Sequence, residues 1–155
     1  MSAVHPLKPV PAPRELLPHR VLLRRVALAC GAVAVVAAGL WARTGLAGTV
    51  GDAAGGILYA VLLYLLLAFA APRARSLTIA AAAVVLCGVI ELFQLTPWPA
   101  QWGELWPPLR LVFGTTFNPW DLPAYAAGGF AAGIADHLLR RGSASRPCDE
   151  TSVSR

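Results

Sequence analysis

The sequence predicts an all-α integral membrane protein, a four-helix bundle with a long outer loop between spans three and four. Three observations carry that prediction. Apolar residues make up 57% of the 155-residue chain and charged residues 14%, against about 25% charged in ordinary globular domains, and the mean hydropathy is +0.60. The apolar residues gather into four stretches near the roughly 20 residues that a helix needs to cross a hydrocarbon core about 30 Å thick. The basic residues gather outside or at the ends of those stretches. Intrinsic disorder is excluded for the middle of the chain, because disorder requires low hydrophobicity and high charge.

The first span is expected from Val21 to Trp41, with Arg24 and Arg25 at its start snorkelling toward headgroups. The second runs from about Ala53 to Ala71 and ends at Pro72, the third covers Leu77 to Leu95, and the fourth about Leu122 to Leu139. Before them, Pro6, Pro9, Pro11, Pro13 and Pro18 are expected to keep residues 1–20 out of helix. After them, residues 142–155 are polar and serine-rich. The expected division is thus a disordered N-terminal tail, a membrane domain over 21–141 and a disordered C-terminal tail.

Orientation follows from the basic residues. With the N-terminus inside, eleven of the thirteen lie in inner segments and only Arg43 and Arg110 lie outside. This bias predicts cytoplasmic termini. The net charge of +5 is therefore a matter of membrane topology, with no basic stripe for nucleic acid. A cleaved secretory signal competes for the first span, with Gly45-Leu46-Ala47 as the small-residue stretch and Arg24-Arg25 as a twin-arginine pair. Its apolar region exceeds the usual length of about 7 to 15 residues, and three further spans follow.

Cys30, Cys87 and Cys148 are widely separated and imply no disulfide framework. His5, His19 and His137 are isolated, so no metal site or cofactor is expected.

Ionisable groups inside spans require a reason. Glu91 lies near the outer end of the third span with Gln94 at i+3, and Cys87 and Gly88 continue that face inward. The fourth span carries Asp121, Tyr125, Gly128, Ala132 and Asp136, and the second carries Asp52, Gly55, Gly56 and Tyr59. Asp52, Glu91, Gln94, Arg110, Asp121 and Tyr125 are therefore the candidate binding residues of an outward polar pocket. Glu91 and Asp121 are the candidate acid–base pair. Helix capping competes with this reading at Asp52 and Asp121, and an interhelical hydrogen bond competes at Glu91. Gly129 and Gly133 form a G-x-x-x-G pattern suited to packing within the bundle, with dimerisation as the other use.

In the long loop, Trp98, Trp102 and Trp106 recur at i, i+4 and i+8, so a short helix ending at Pro107-Pro108 would align all three on one face. That face suits the headgroup boundary, as an anchor or as a lid over the carboxylates.

The stretch Glu91-Leu92-Phe93-Gln94-Leu95-Thr96-Pro97, followed by Leu109-Arg110-Leu111-Val112-Phe113-Gly114-Thr115-Thr116-Phe117-Asn118 and Asp121-Leu122-Pro123-Ala124-Tyr125, resembles domain-of-unknown-function family 2809 in its actinobacterial form. The family consists of small bacterial membrane proteins and is distantly similar to VanZ-like proteins, some of them associated with glycopeptide resistance. The resemblance covers about Val21 to Asp136 and implies no established activity. The family often places a Gly-Asp pair directly before the Leu-Tyr of its second span. Here Gly55-Gly56-Ile57 precedes Leu58-Tyr59, and Gly51-Asp52 lies one turn earlier, about 6 Å away along the helix.

These readings converge on a cell-envelope binding or assembly module for a lipid headgroup or envelope precursor, with membrane lipids as partners. A membrane-embedded enzyme using Glu91 on a lipid-linked substrate is the alternative, and a small oligomeric transporter the third. The topology has a direct check. Cys148 should react with a membrane-impermeant thiol reagent only after cells are opened, and labelling of intact cells would reverse the orientation.

Overall fold

The computed structural model describes residues 16–46, 48–114 and 116–144. The tail prolines from Pro6 to Pro13 and the residues around Cys148 lie outside the described residues. Six α-helices are described: α1 (Leu16–Gly45), α2 (Gly48–Ala70), α3 (Ser76–Phe93), α4 (Trp98–Leu105), α5 (Leu109–Phe113) and α6 (Asp121–Ala144). No strand occurs among the described residues.

Three helices are long and apolar enough to cross a membrane by length and composition: α1 over Val21–Gly45, α2 and α3. α6 has 24 residues, but its glycines, aspartates and arginines dilute its hydropathy and it falls outside that group. Several boundaries differ from the sequence expectation: α1 continues past Trp41 to Gly45, α3 ends at Phe93 rather than Leu95, and α6 continues past Leu139 to Ala144, so the first residues of the tail expected from 142 are helical. α1 begins at Leu16, so Pro18 falls in its first turn, where a missing N–H removes no helical hydrogen bond. α2 begins at Gly48, which makes Asp52 the fifth helical residue and removes it from the capping position.

α6 packs against both α2 and α3, α2 also packs against α3, and α1 lies against α2. The buried face of α2 is Gly56, Ala60, Tyr64 and Ala68, spaced by four. That of α3 is Ser76, Ile79, Ala80, Ala83, Cys87 and Glu91. Most of these side chains are small, which lets backbones approach closely where lipid tails supply no net hydrophobic drive between helices. The outside is the reverse, with exposed Val33, Val85, Val89, Phe130, Ile134 and Leu138 among many large apolar residues.

Glycines on α6 set the closest approaches. A Cβ at Gly129 would meet Val84 Cγ2 at 2.6 Å, and one at Gly133 would meet Ala80 Cβ at 2.7 Å. The G-x-x-x-G pattern thus faces α3 within the chain. A Cβ at Gly128 would collide with the backbone oxygen of Ile57 on α2.

One end of the bundle is fastened by Asp136. Its Oδ2 accepts hydrogen bonds from Tyr64 Oη of α2 (2.7 Å), Ser76 Oγ of α3 (2.7 Å), Arg24 Nη2 of α1 (3.1 Å) and Arg140 Nε of its own helix (3.0 Å). Arg24 Nη1 also donates to the Pro72 carbonyl, and Arg140 Nη1 to the Ala74 carbonyl at 3.0 Å. All four long helices and the turn over 71–75 meet there. Arg24, expected to snorkel, is held by a carboxylate instead.

Gly128→Ala should destabilise the protein by about 1 to 3 kcal/mol, because backbone on α2 must shift to admit the methyl group. Gly88→Ala, where an added Cβ meets nothing within 4 Å, should be neutral or stabilising by up to about 1 kcal/mol. Thermal melts of the two variants in detergent, beside the parent, check the contrast.

Candidate functional site

The opposite end of the bundle is organised around Glu91, which is 0% exposed. It sits in the last turn of α3, 15 residues beyond Ser76, hence about 22 Å along the helix from the Asp136 fastening. Oε2 accepts the Tyr125 hydroxyl of α6 at 2.9 Å, and Oε1 accepts the backbone N–H of Asn118 at 2.5 Å. Both carboxylate oxygens therefore have donors from α6 and its lead-in. A buried charge requires this kind of compensation.

Asn118 then turns the chain into α6. Its carbonyl accepts Asp121 N–H at 2.9 Å, its Nδ2 donates to Asp121 Oδ1 at 3.0 Å, and its Oδ1 accepts Trp120 N–H at 3.3 Å. Asp121 is half-buried at the polar start of α6, before the apolar segment that begins at Leu122. Asp52 is exposed on α2.

The segment between α3 and α6 docks through side chains that satisfy the terminal carbonyls of α5, groups with no partner inside the helix. Tyr59 Oη donates to the Val112 carbonyl at 2.6 Å and Gln94 Nε2 to the Phe113 carbonyl at 2.7 Å. Gly114 ends α5 with φ of 65°, and a Cβ there would meet Gln94 Nε2 at 2.7 Å. Glycine is required on both counts. Phe93, Trp102 and Phe113 form a mutual aromatic cluster with centroids 5.6 to 6.1 Å apart, spacings suited to tilted and edge-on aromatic packing.

The six sequence-derived residues separate on this geometry. Glu91 and Tyr125 are in direct contact, and Asp121 joins them through Asn118. Gln94 holds α5. Arg110 is exposed and its aliphatic stem packs over Gly103 of α4, where a Cβ would meet Arg110 Cγ at 2.6 Å. The ion pairs found among the described residues place it beside neither Glu91 nor Asp121. Gly56 faces Ala124 and Tyr125, whereas Gly55 and Gly88 meet open space. Asn118 and Tyr59 were not singled out as site residues by sequence reasoning. Their contacts span 27 and 53 residues, beyond any local spacing rule. Trp106 leaves the tryptophan face. α4 stops at Leu105 and Trp106 is extended, with φ of −144° and ψ of 98°, because Pro107 disfavours helical backbone in the residue before it.

The fold and this end of it define a helical, membrane-type protein with a buried, hydrogen-bonded carboxylate at one end. More particularly, the chain belongs to the family described as protein of unknown function (DUF2809), whose model matches residues 46–129. All six candidate residues lie within that segment. No curated protein and no solved structure matches the chain.

Glutamine at position 91 offers one acceptor where two donors converge, so one donor would face an NH2 group. Glu91→Gln should therefore cost about 1 to 3 kcal/mol, and adding Tyr125→Phe should recover part of that loss by removing the surplus donor. Unfolding free energies of the two single variants and the double variant measure the coupling. Additive losses would show that Tyr125 and Glu91 act independently.

Proposed function

We propose that the protein crosses the bacterial plasma membrane four times with cytoplasmic termini, α6 being the fourth crossing. Its outer, Glu91-centred end serves as a cell-envelope binding or assembly site. The occupant is a lipid headgroup or an envelope precursor, held at Asp121 and Asp52 with the tryptophan-bearing α4 beside it. The positive-inside count supports the orientation, and Arg24, the 71–75 turn and Arg140 gather at the other end. The observation that carries the binding reading over acid–base chemistry is that both oxygens of Glu91 are engaged by Asn118 and Tyr125 at zero exposure. A carboxylate so occupied positions the loop and α6. Asp121 and Asp52, which retain exposure, are left for a ligand bearing cationic or hydroxyl groups.

The test is identification of lipids and small molecules retained by gently purified protein, followed by the same measurement on Asp121→Asn and Asp52→Asn. Retention should weaken by about 1.5 to 3 kcal/mol for a charge-assisted bond in a desolvated site, with the thermal melt unchanged. Retained ligand with turnover reduced by roughly 100-fold would instead support the alternative of an acid–base enzyme. Unchanged retention in both variants would remove these aspartates from the site.

A further inference from the structure

A second surface lies at the Asp136 end, on the outer side of α1 and α2. There Leu28, Ala29 and Ala32 of α1 and Leu65, Leu66 and Phe69 of α2 line an open groove of about 200 Å³. Arg25, Leu28, Ala29 and Ala32 stand at i, i+3, i+4 and i+7, on one face of α1. Arg25 is exposed, its guanidinium carbon lies 5.5 Å from the centroid of the Phe69 ring, and it takes part in none of the ion pairs found among the described residues. The groove thus has an apolar floor and an exposed cation at one end. Arg24, directly beside it, bonds to the Pro72 carbonyl, which brings the turn carrying Arg73 to the same end.

We propose that this groove is a binding site for an anionic phospholipid of the membrane, with an acyl segment along Leu28, Ala29, Ala32, Leu65 and Leu66 and the phosphate on Arg25. The alanines make the hollow, and the cation–π contact with Phe69 holds the guanidinium over its mouth. The volume is below the roughly 300 to 1,000 Å³ of sites that enclose a whole small molecule. An extended acyl chain is slender enough to enter. The charge at the mouth selects among headgroups. This inference rests on the membrane-crossing reading of α1 and α2 and is independent of any ligand at the Glu91 end.

Full-length protein in detergent is offered phosphatidylglycerol and phosphatidylcholine with identical acyl chains, and retained lipid is counted by native mass spectrometry. The parent should retain phosphatidylglycerol preferentially. Arg25→Gln should reduce that preference by roughly 10-fold, the worth of one charge-assisted hydrogen bond. Ala32→Leu, which fills the groove, should lower retention of both lipids. An arginine that merely snorkels would leave the Ala32→Leu variant like the parent. Equal retention of the two lipids by the parent would overturn the site, as would full retention by Ala32→Leu or a groove variant that changes only oligomeric state. The losses on Arg25→Gln and Ala32→Leu should appear equally in an Asp52→Asn/Asp121→Asn background, which separates this site from the Glu91 end. Thermal melts verify that each variant is folded.

Discussion

A carboxylate buried among apolar helices must be met by donors, and that requirement organises both ends of this protein. Asp136 draws hydroxyl and guanidinium donors from α1, α2, α3 and α6 onto a single oxygen. Glu91 draws a tyrosine and a backbone amide from α6 and its lead-in. Side-chain packing between the two is dominated by small residues and specifies register weakly. The hydrogen bonds at the ends fix it, because sliding one helix by a turn would strand a charge. Polar groups that would be costly alone thereby become the coordinates of the bundle.

Close approach is the complementary condition. Tyr125 reaches Glu91 because Gly56 lets α6 lie against α2, and Tyr64 reaches Asp136 because Gly133 lets α6 lie against α3. Bulk at these glycines would push the acceptors away from their donors as well as crowding the backbone. Packing and hydrogen bonding here are one arrangement seen at two radii. The same economy appears at α5, where Tyr59 and Gln94 satisfy helix-end carbonyls and so hold the aromatic segment over the end of α3.

Much of this was legible in the sequence, for identifiable reasons. Hydropathy located α1, α2 and α3, and the weaker apolar stretch after Asp121 located α6. The rule that an ionisable residue in an apolar run needs a partner singled out Glu91, and the i, i+4 spacing placed Tyr125 and Asp121 on one face. Long-range pairing was not legible. Arg24 carried the ordinary signature of a snorkelling arginine, and nothing local joined it to Asp136, 112 residues away. Asn118 contributes a backbone N–H to Glu91, a group every residue but proline possesses. Periodicity gave Trp106 the same face as Trp98 and Trp102, yet the proline after it imposed a stronger local constraint.

The Arg24–Asp136 pair joins the first long helix to the last, and this bears on the order in which the molecule can be completed. Synthesis proceeds from the N-terminus, so Arg24 exists while its carboxylate partner on α6 is still unmade. The guanidinium becomes an internal strut between the helices only when α6 arrives. One residue thus waits through the making of α2 and α3 before it can close as a clasp.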